Sequence, residues 1–189
     1  MRVEIENGGV SAVTKRRLQV CADRFSRAAR VGEIQWRDDR EKNELILVEV
    51  FEIEGFLKND PQTNTPIFEI RSDATAGMLA LPPQINRRDP FALPFPCHQS
   101  HTVEIDFLGL EVTKVQPFES DSKFFKFSRS GRSVRKFLKI TFEFSTLTDT
   151  VPAASSAEYR KQVETTWRAS ILHLRLPPGS PASPAEEPA

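Results

Sequence analysis

The sequence is poor in the residues that mark several classes of protein. It has only two cysteines, Cys21 and Cys97, so it is not a disulfide-rich secreted scaffold. It has 8 glycines and no glycine-rich nucleotide-binding motif. No apolar run approaches the roughly 18 to 20 residues of a membrane span. Because the N-terminus also lacks the apolar core of a secretory signal, we expect an intracellular, soluble protein of the cytoplasm or nucleus.

Motifs of known catalytic sites are missing as well, among them Gly-x-Ser-x-Gly and His-Glu-x-x-His. Carboxylate pairs two residues apart occur on expected strands, at Glu52 with Glu54 and at Glu104 with Asp106. Such pairs are also typical of solvated strand faces. Cys97, His98 and His101 offer three zinc-type ligands, but no second cluster completes a structural site. We therefore expect a non-enzymatic protein with no metal and no cofactor.

Phenylalanine is abundant, with 14 Phe against two Trp and one Tyr. Phe has no polar group, so we expect most of these rings in a core. Apolar and polar residues alternate, as they do in half-buried β-strands, at residues 44–57, 66–71, 102–115, 137–147 and 167–176. The first of these begins as a continuous apolar run, which indicates burial on both faces there. The sequence therefore predicts a mainly β fold, an antiparallel β-sandwich or barrel.

Three other segments complete the predicted organisation. After a short strand at residues 3–5 and a turn at residues 7–9, the spacing predicts an amphipathic basic helix over about 12–30. Residues 82–96 contain five prolines, so they form a long loop rather than a central strand. Residues 177–189 have the composition of a disordered tail. We expect a single β-rich domain over residues 1–176, followed by that tail.

Charge is segregated along the chain although the formal net charge is zero. Residues 1–40 carry a net charge of +3, residues 41–122 carry −8, and residues 123–189 carry +5. The molecule thus has an acidic middle and two basic ends. Opposite charges on one chain suit either an anionic ligand or contact between copies.

The most unusual segment is a basic arm over residues 121–139. From residue 123 to residue 139 it has seven cations and no acid, and five of the cations recur at every third residue. Glycine and serine in its centre predict a loop between two strands. Cations neutralise phosphates, and aromatic rings stack on bases. The predicted phosphate contacts are Lys123, Lys126, Arg129, Arg132, Arg135, Lys136 and Lys139, the stacking groups are Phe124 and Phe127, and the auxiliary cations of the N-terminal helix are Arg16, Arg24 and Arg27.

Two functions follow from this arm. The first is non-enzymatic binding of a polyanion, RNA or DNA, with weak sequence specificity because no groove-reading motif is present. The alternative is a self-assembling structural protein, of viral coat, matrix or movement type or a subunit of a larger complex. Its basic arm would contact an acidic face of a neighbour or an anionic membrane. A further interpretation assigns no binding function to the arm: its Phe residues lie in the core, and its cations form a solvated strand edge.

Overall fold

The structure, a computed structural model, describes residues 2–25, 27–79, 81, 88–106, 115–134 and 137–176. These residues form two compact units, unit 1 up to Lys58 and unit 2 from Asn59 onward. Strand residues outnumber helical residues, and every described strand pair is antiparallel. This confirms the predicted mainly β, antiparallel class. That residues 1–176 fold as one domain stays a prediction, and the expected tail at 177–189 lies outside the described residues.

Unit 1 is a helix followed by a long two-stranded hairpin. Its elements are α1 (Arg2–Arg24), β1 (Arg27–Arg30), β2 (Gln35–Asp39), β3 (Glu44–Val48) and β4 (Phe51–Glu54). Since β1 pairs with β4 and β2 with β3, residues 27–39 run antiparallel to residues 44–54. Among the described residues of unit 1, only Val13 and Thr14 are fully buried. The unit therefore has a very small core.

The helix of unit 1 differs from the prediction at both ends. The expected strand at 3–5 is helical, and the expected turn at 7–9 is a kink at Gly9, whose φ is +72°. Glycine tolerates that angle because it has no Cβ. The helix also ends at Arg24 rather than near residue 30, since the following residues pair with β4 instead. Arg27, expected on the helix, therefore lies on β1.

The described elements of unit 2 are β5 (Lys58–Asn59, at the boundary of the units), β6 (Pro66–Arg71), α2 (Asp73–Ala76), β7 (Phe91–Ala92), β8 (His98–Asp106), β9 (Phe118–Asp121), β10 (Phe125–Val134), β11 (Phe137–Thr146), β12 (Thr150–Val151), α3 (Ser156–Ser170) and β13 (Ile171–Arg175). Short 3-10 turns occupy Gly77–Leu79 and Ala153–Ser155. The described strands form a four-stranded sheet, a three-stranded sheet and a two-stranded ribbon, in the orders β8–β11–β10–β9, β13–β6–β5 and β7–β12.

The core of unit 2 lies on one face of the four-stranded sheet, as the phenylalanine content predicted. Alternate residues of β10 and β11 are buried there, namely Phe125, Phe127, Leu138, Ile140, Phe142 and Phe144. Tyr159 of α3 packs edge-on against Phe124 and Phe125. It also contacts Phe91, so the described part of the proline-rich loop is fixed to the core.

Three strand predictions need correction. Residues 167–170 belong to α3, whose sparse buried positions at helical spacing (Tyr159, Val163, Thr166 and Ser170) gave only a weak sequence signal. The strand expected at 102–115 begins earlier, at His98, and residues 107–114 lie outside the described residues. Gly131 lies within β10 opposite Ile140, not in a loop, because β10 continues to Val134.

Candidate functional site

The basic arm forms β10 and the start of β11, and its cations point to opposite faces of the sheet. Side chains of a strand alternate with a period of two, so cations spaced by three residues cannot share one face. Lys126 and Arg132 are exposed on the outer face, whereas Arg129, between them, is buried. The arm is therefore not a continuous row of cations in solvent.

Arg129 is engaged by the protein itself. Its Nη1 donates a hydrogen bond to the backbone carbonyl of Ala169, and its Nη2 donates to the carbonyl of Gln116 at 3.0 Å. Its Nε is buried with no partner among the described residues. Burial lowers the pKa of the Arg129 guanidinium. The predicted phosphate contact at this position is wrong, since the cation faces the core and binds backbone oxygens.

Phe124 and Phe127 also lie in the core. They are only 3% and 1% exposed. The Phe124 ring is 5.5 Å from the Tyr159 ring, and the Phe127 ring is 6.5 Å from that of Phe142. Neither ring has an open face on which a base could stack, because the hydrophobic core uses both faces.

Two further cations of the arm are neutralised by nearby acids. The Lys123 ammonium is 2.6 Å from a Glu158 carboxylate oxygen, and that of Lys139 is 2.6 Å from Glu104. Lys126 and Arg132 make no ion pair or hydrogen bond within the described part of the chain. Arg135 and Lys136 lie outside the described residues.

The outer face of the four-stranded sheet carries acids as well as cations. Strand register places Glu119 and Asp121 of β9 opposite residues 128 and 126 of β10. Glu143 lies on β11, and Glu104 and Asp106 lie on β8. The described part of this face thus has more carboxylates than cations, so it does not present the uniform positive potential that a polyanion needs.

One end of this sheet is different, and we call Arg132, Phe137 and Lys139 the hairpin end. Arg132 lies directly opposite Lys139 across the β10–β11 ladder. Like charges in directly opposite positions destabilise a sheet. Phe137, two residues before Lys139 on the same face, is 40% exposed. The hairpin end therefore combines cations with an exposed aromatic ring.

The three helix cations that the sequence proposed as auxiliary contacts lie in unit 1 and have contacts there. Arg16 forms two hydrogen bonds with Glu4, at 2.5 and 3.0 Å, which lower the pKa of that carboxyl. Arg24 lies over the ring of Phe25 at 5.3 Å. Arg27 is 3.3 Å from a Glu54 carboxylate oxygen.

A surface that the sequence did not predict lies on the hairpin of unit 1, on the face that does not contact α1. Odd-numbered residues of 44–54 are less exposed than even-numbered ones, and one of them, Glu49, forms an ion pair with Arg17 of α1. Even-numbered residues face solvent. We call Val31, Ile46, Val48 and Val50 the apolar stripe; they are 50%, 37%, 48% and 55% exposed. The N–H of Val31 donates to the Val50 carbonyl at 2.8 Å, which places these two residues side by side.

The exposure of the apolar stripe corrects the expectation that the strand at 44–57 is buried on both faces at its start. That expectation was based on the run of large aliphatic residues at the start of the segment. Such a run indicates burial only if a second layer covers the other face.

A surface hollow of about 330 Å³ lies on the same hairpin, between β1 and β4. It is lined by Arg27, Ala28, Ala29, Glu52 and Glu54. Ala29, which lies opposite Glu52, leaves space because its side chain is short. Glu54 is paired with Arg27, while Glu52 has no partner within the described residues. The hollow therefore holds one unneutralised carboxylate next to Val50.

The Cys97–His101 segment does not converge on one point. His98 and His101 lie three residues apart on β8, so they point to opposite faces. The Cys97 sulfur is 4.0 Å from the Met78 sulfur, and burial raises the pKa of its thiol, which disfavours the thiolate that metals bind. His101 Nδ1 is 2.9 Å from the Ser72 hydroxyl. Within the described residues, no three His, Cys, Asp or Glu side chains group as metal ligands.

Comparisons with known proteins give little further information. No protein-family model and no curated protein matches the chain. A crystal structure of a provisionally assigned protease from Parabacteroides distasonis ATCC 8503 is similar at 16% identity and a TM-score of 0.46. The match covers 58% of this chain and 23% of that chain, and a likeness at this level identifies neither family nor activity. No helix in the described part of the chain has both the length and the hydrophobicity to cross a membrane.

Proposed function

We propose that this chain is a non-enzymatic, self-associating protein, a structural protein or a subunit of a larger complex, and that it associates through the apolar stripe. The observation that carries the proposal is the exposure of Val31, Ile46, Val48 and Val50 on one open sheet face. Contiguous exposed apolar residues are typical of interaction surfaces.

The distribution of charge favours a second copy as the partner. Residues 44–54 have four glutamates and no cation, whereas residues 123–139 have seven cations and no acid. Ion pairs and burial within the chain neutralise or withdraw most of these groups, so the charges that stay available within the described residues are Glu52 on the one segment and Lys126 and Arg132 on the other. Complementary charges raise the rate of encounter and select the partner, while the apolar stripe supplies buried area.

Sedimentation velocity of the full chain over a wide concentration range tests the proposal. We expect the mean mass to rise with concentration. The Val48→Asp variant should remain monomeric, since it places a charge in the centre of the stripe. Val20→Asp is the matched control, because Val20 lies on α1 with a similar exposure of 46% and outside the stripe. A wild-type chain that is monomeric at all concentrations would overturn the proposal.

Binding of RNA or DNA remains a second candidate, now confined to the hairpin end. The observation that favours it is Arg132, an exposed cation with no ion-pair or hydrogen-bond partner within the described residues. Each phosphate contact contributes about −0.9 to the slope of log affinity against log salt for duplex DNA. Filter binding should therefore show an affinity that falls as salt rises, and the slope should become shallower by about 0.9 in Arg132→Glu. Affinity that is flat in salt would exclude this candidate.

A further inference from the structure

We infer that the apolar stripe of one copy receives the hairpin end of a neighbouring copy, so that chains associate head to tail. This inference rests on the proposed self-association and names its second surface. It requires that the two surfaces match in polarity, in charge and in the space available, and each match has its own observation.

The match in polarity comes from Phe137. Phe137 is 40% exposed, whereas six of the 14 Phe of the chain are buried at 3% exposure or less. It lies on the outer face at the first residue of β11, in register with Val134 of β10 on one side and Asp106 of β8 on the other. An aromatic ring covers a stripe of aliphatic side chains over a large area at a low cost in side-chain entropy. Phe137 is therefore suited to lie across Val48 and Val50.

The match in charge comes from Arg132 and Glu52. Within the described residues neither side chain has an ion-pair or hydrogen-bond partner. Arg132 lies on the same face as Phe137, and Glu52 lies on the same face as Val50. A guanidinium and a carboxylate form short, charge-assisted hydrogen bonds when they are brought together. Contact between Phe137 and the stripe therefore places an unpaired cation near an unpaired carboxylate.

The space for this cation is the hollow next to the stripe. Its volume of about 330 Å³ and its alanine lining leave room for a long side chain beside Glu52. Arg27 is already engaged by Glu54 at 3.3 Å, so it does not neutralise Glu52. The hollow thus leaves space beside Glu52 for a cationic side chain from outside unit 1.

The two surfaces differ, so the contact is heterologous rather than two-fold symmetric. Heterologous contacts produce rings when the rotation closes and open chains when it does not. A copy with a damaged stripe still has an intact hairpin end, and a copy with a damaged hairpin end still has an intact stripe. Two variants that cannot assemble alone should therefore combine with each other.

The decisive experiment mixes full-length Val48→Asp with full-length Arg132→Glu and measures mass by sedimentation velocity. Each variant alone should be monomeric or at least about tenfold weaker in association than the wild type, since a close interfacial charge pair contributes an affinity factor of that order. Their equimolar mixture should form a one-to-one heterodimer that does not grow further. Lys126→Glu is the matched control, because Lys126 is another unpaired cation on the outer face of β10, and it should assemble like the wild type.

Charge exchange gives a second test. Glu52→Arg should weaken association by a similar factor, and Glu52→Arg combined with Arg132→Glu in one chain should restore it. If the wild type assembles but the mixture stays monomeric and the exchange restores nothing, the head-to-tail pairing is wrong and the proposed function stands. If the wild type is monomeric, the proposed function fails and the pairing with it.

Discussion

The guanidinium of Arg129, on a central strand of the four-stranded sheet, donates a hydrogen bond to the backbone carbonyl of Ala169 in the last turn of α3. Carbonyls at a helix C-terminus have no partner within the helix and carry partial negative charge. A buried cation therefore joins the sheet to the helix. A second bond to the Gln116 carbonyl fixes the segment that precedes β9. Arg129 stabilises unit 2 and is not a ligand contact.

Replacing this arginine should destabilise the protein. In Arg129→Met the side chain keeps much of its length, but the Ala169 and Gln116 carbonyls lose their donors. Both bonds are part-buried, and a hydrogen bond to a charged group contributes about 1.5–3 kcal/mol. We expect a lower urea midpoint with little change in slope. Arg132→Met, on the same strand but exposed, is the control and should shift stability by no more than about 0.5 kcal/mol. Equal midpoints for the two variants would contradict this role of Arg129.

Gly131 should not tolerate a side chain. A Cβ at this position would lie 2.5 Å from the Cβ of Val115, which is buried. Overpacking of this kind costs about 1–3 kcal/mol. We therefore expect Gly131→Ala to lower the free energy of unfolding in urea titrations. Val115→Ala in the same chain removes Cγ1 and Cγ2, at 2.7 and 2.8 Å, but keeps the Cβ, so it should recover only a small part of the loss.

Gly77→Ala is the matched control for that substitution. Nothing lies within 4 Å of a Cβ at Gly77, whose φ is −64°. Alanine at such a position is neutral or stabilising, because it restricts the unfolded chain. If Gly131→Ala were as stable as Gly77→Ala, the close approach between Val115 and Gly131 would be absent in solution.

The sequence predicted the antiparallel β class and the phenylalanine core because period-two alternation and the apolar character of Phe are local properties. The same alternation, applied to β10, places Arg129 on the face of the strand opposite to that of Lys126 and Arg132. Gly131 and the neighbouring serines were interpreted as a loop, which obscured the fact that three-residue spacing on one strand must alternate between faces. The partners of Arg129 were beyond prediction, since Ala169 is 40 residues away in sequence. Alternation also shows that residues 44–54 have two faces, but not which face α1 covers.

Tyr159 is the only tyrosine of the chain, so the absorbance of its phenolate can be titrated without overlap from other phenols. Burial raises the pKa of the Tyr159 phenol above its ordinary value. A spectrophotometric titration of the native protein should therefore show a phenolate midpoint above about 10, whereas the protein in denaturant should titrate normally. Since the folded state holds the proton more tightly, the stabilisation is complete below the unfolded pKa and is lost as pH rises through the folded pKa. An ordinary midpoint in the native protein would show that Tyr159 is not packed against Phe124 and Phe125.

The hairpin end should be less stable than it could be. Arg132→Glu replaces a like-charge cross-strand pair with an opposite-charge pair, and such a change is worth about 0.2–1 kcal/mol. We expect Arg132→Glu to unfold at a higher urea concentration than Arg132→Gln, which in turn should exceed the wild type, all measured under conditions where the chain is monomeric. The gain should shrink at high salt, because exposed charges are screened over about 10 Å at moderate ionic strength. If Arg132→Glu is more stable than the wild type but fails to assemble, Arg132 contributes to association between copies and not to the stability of the fold. An arginine with a structural role alone would lose stability when its charge is reversed. If Arg132→Glu is instead less stable than Arg132→Gln, the side chains of Arg132 and Lys139 do not face each other as the register requires.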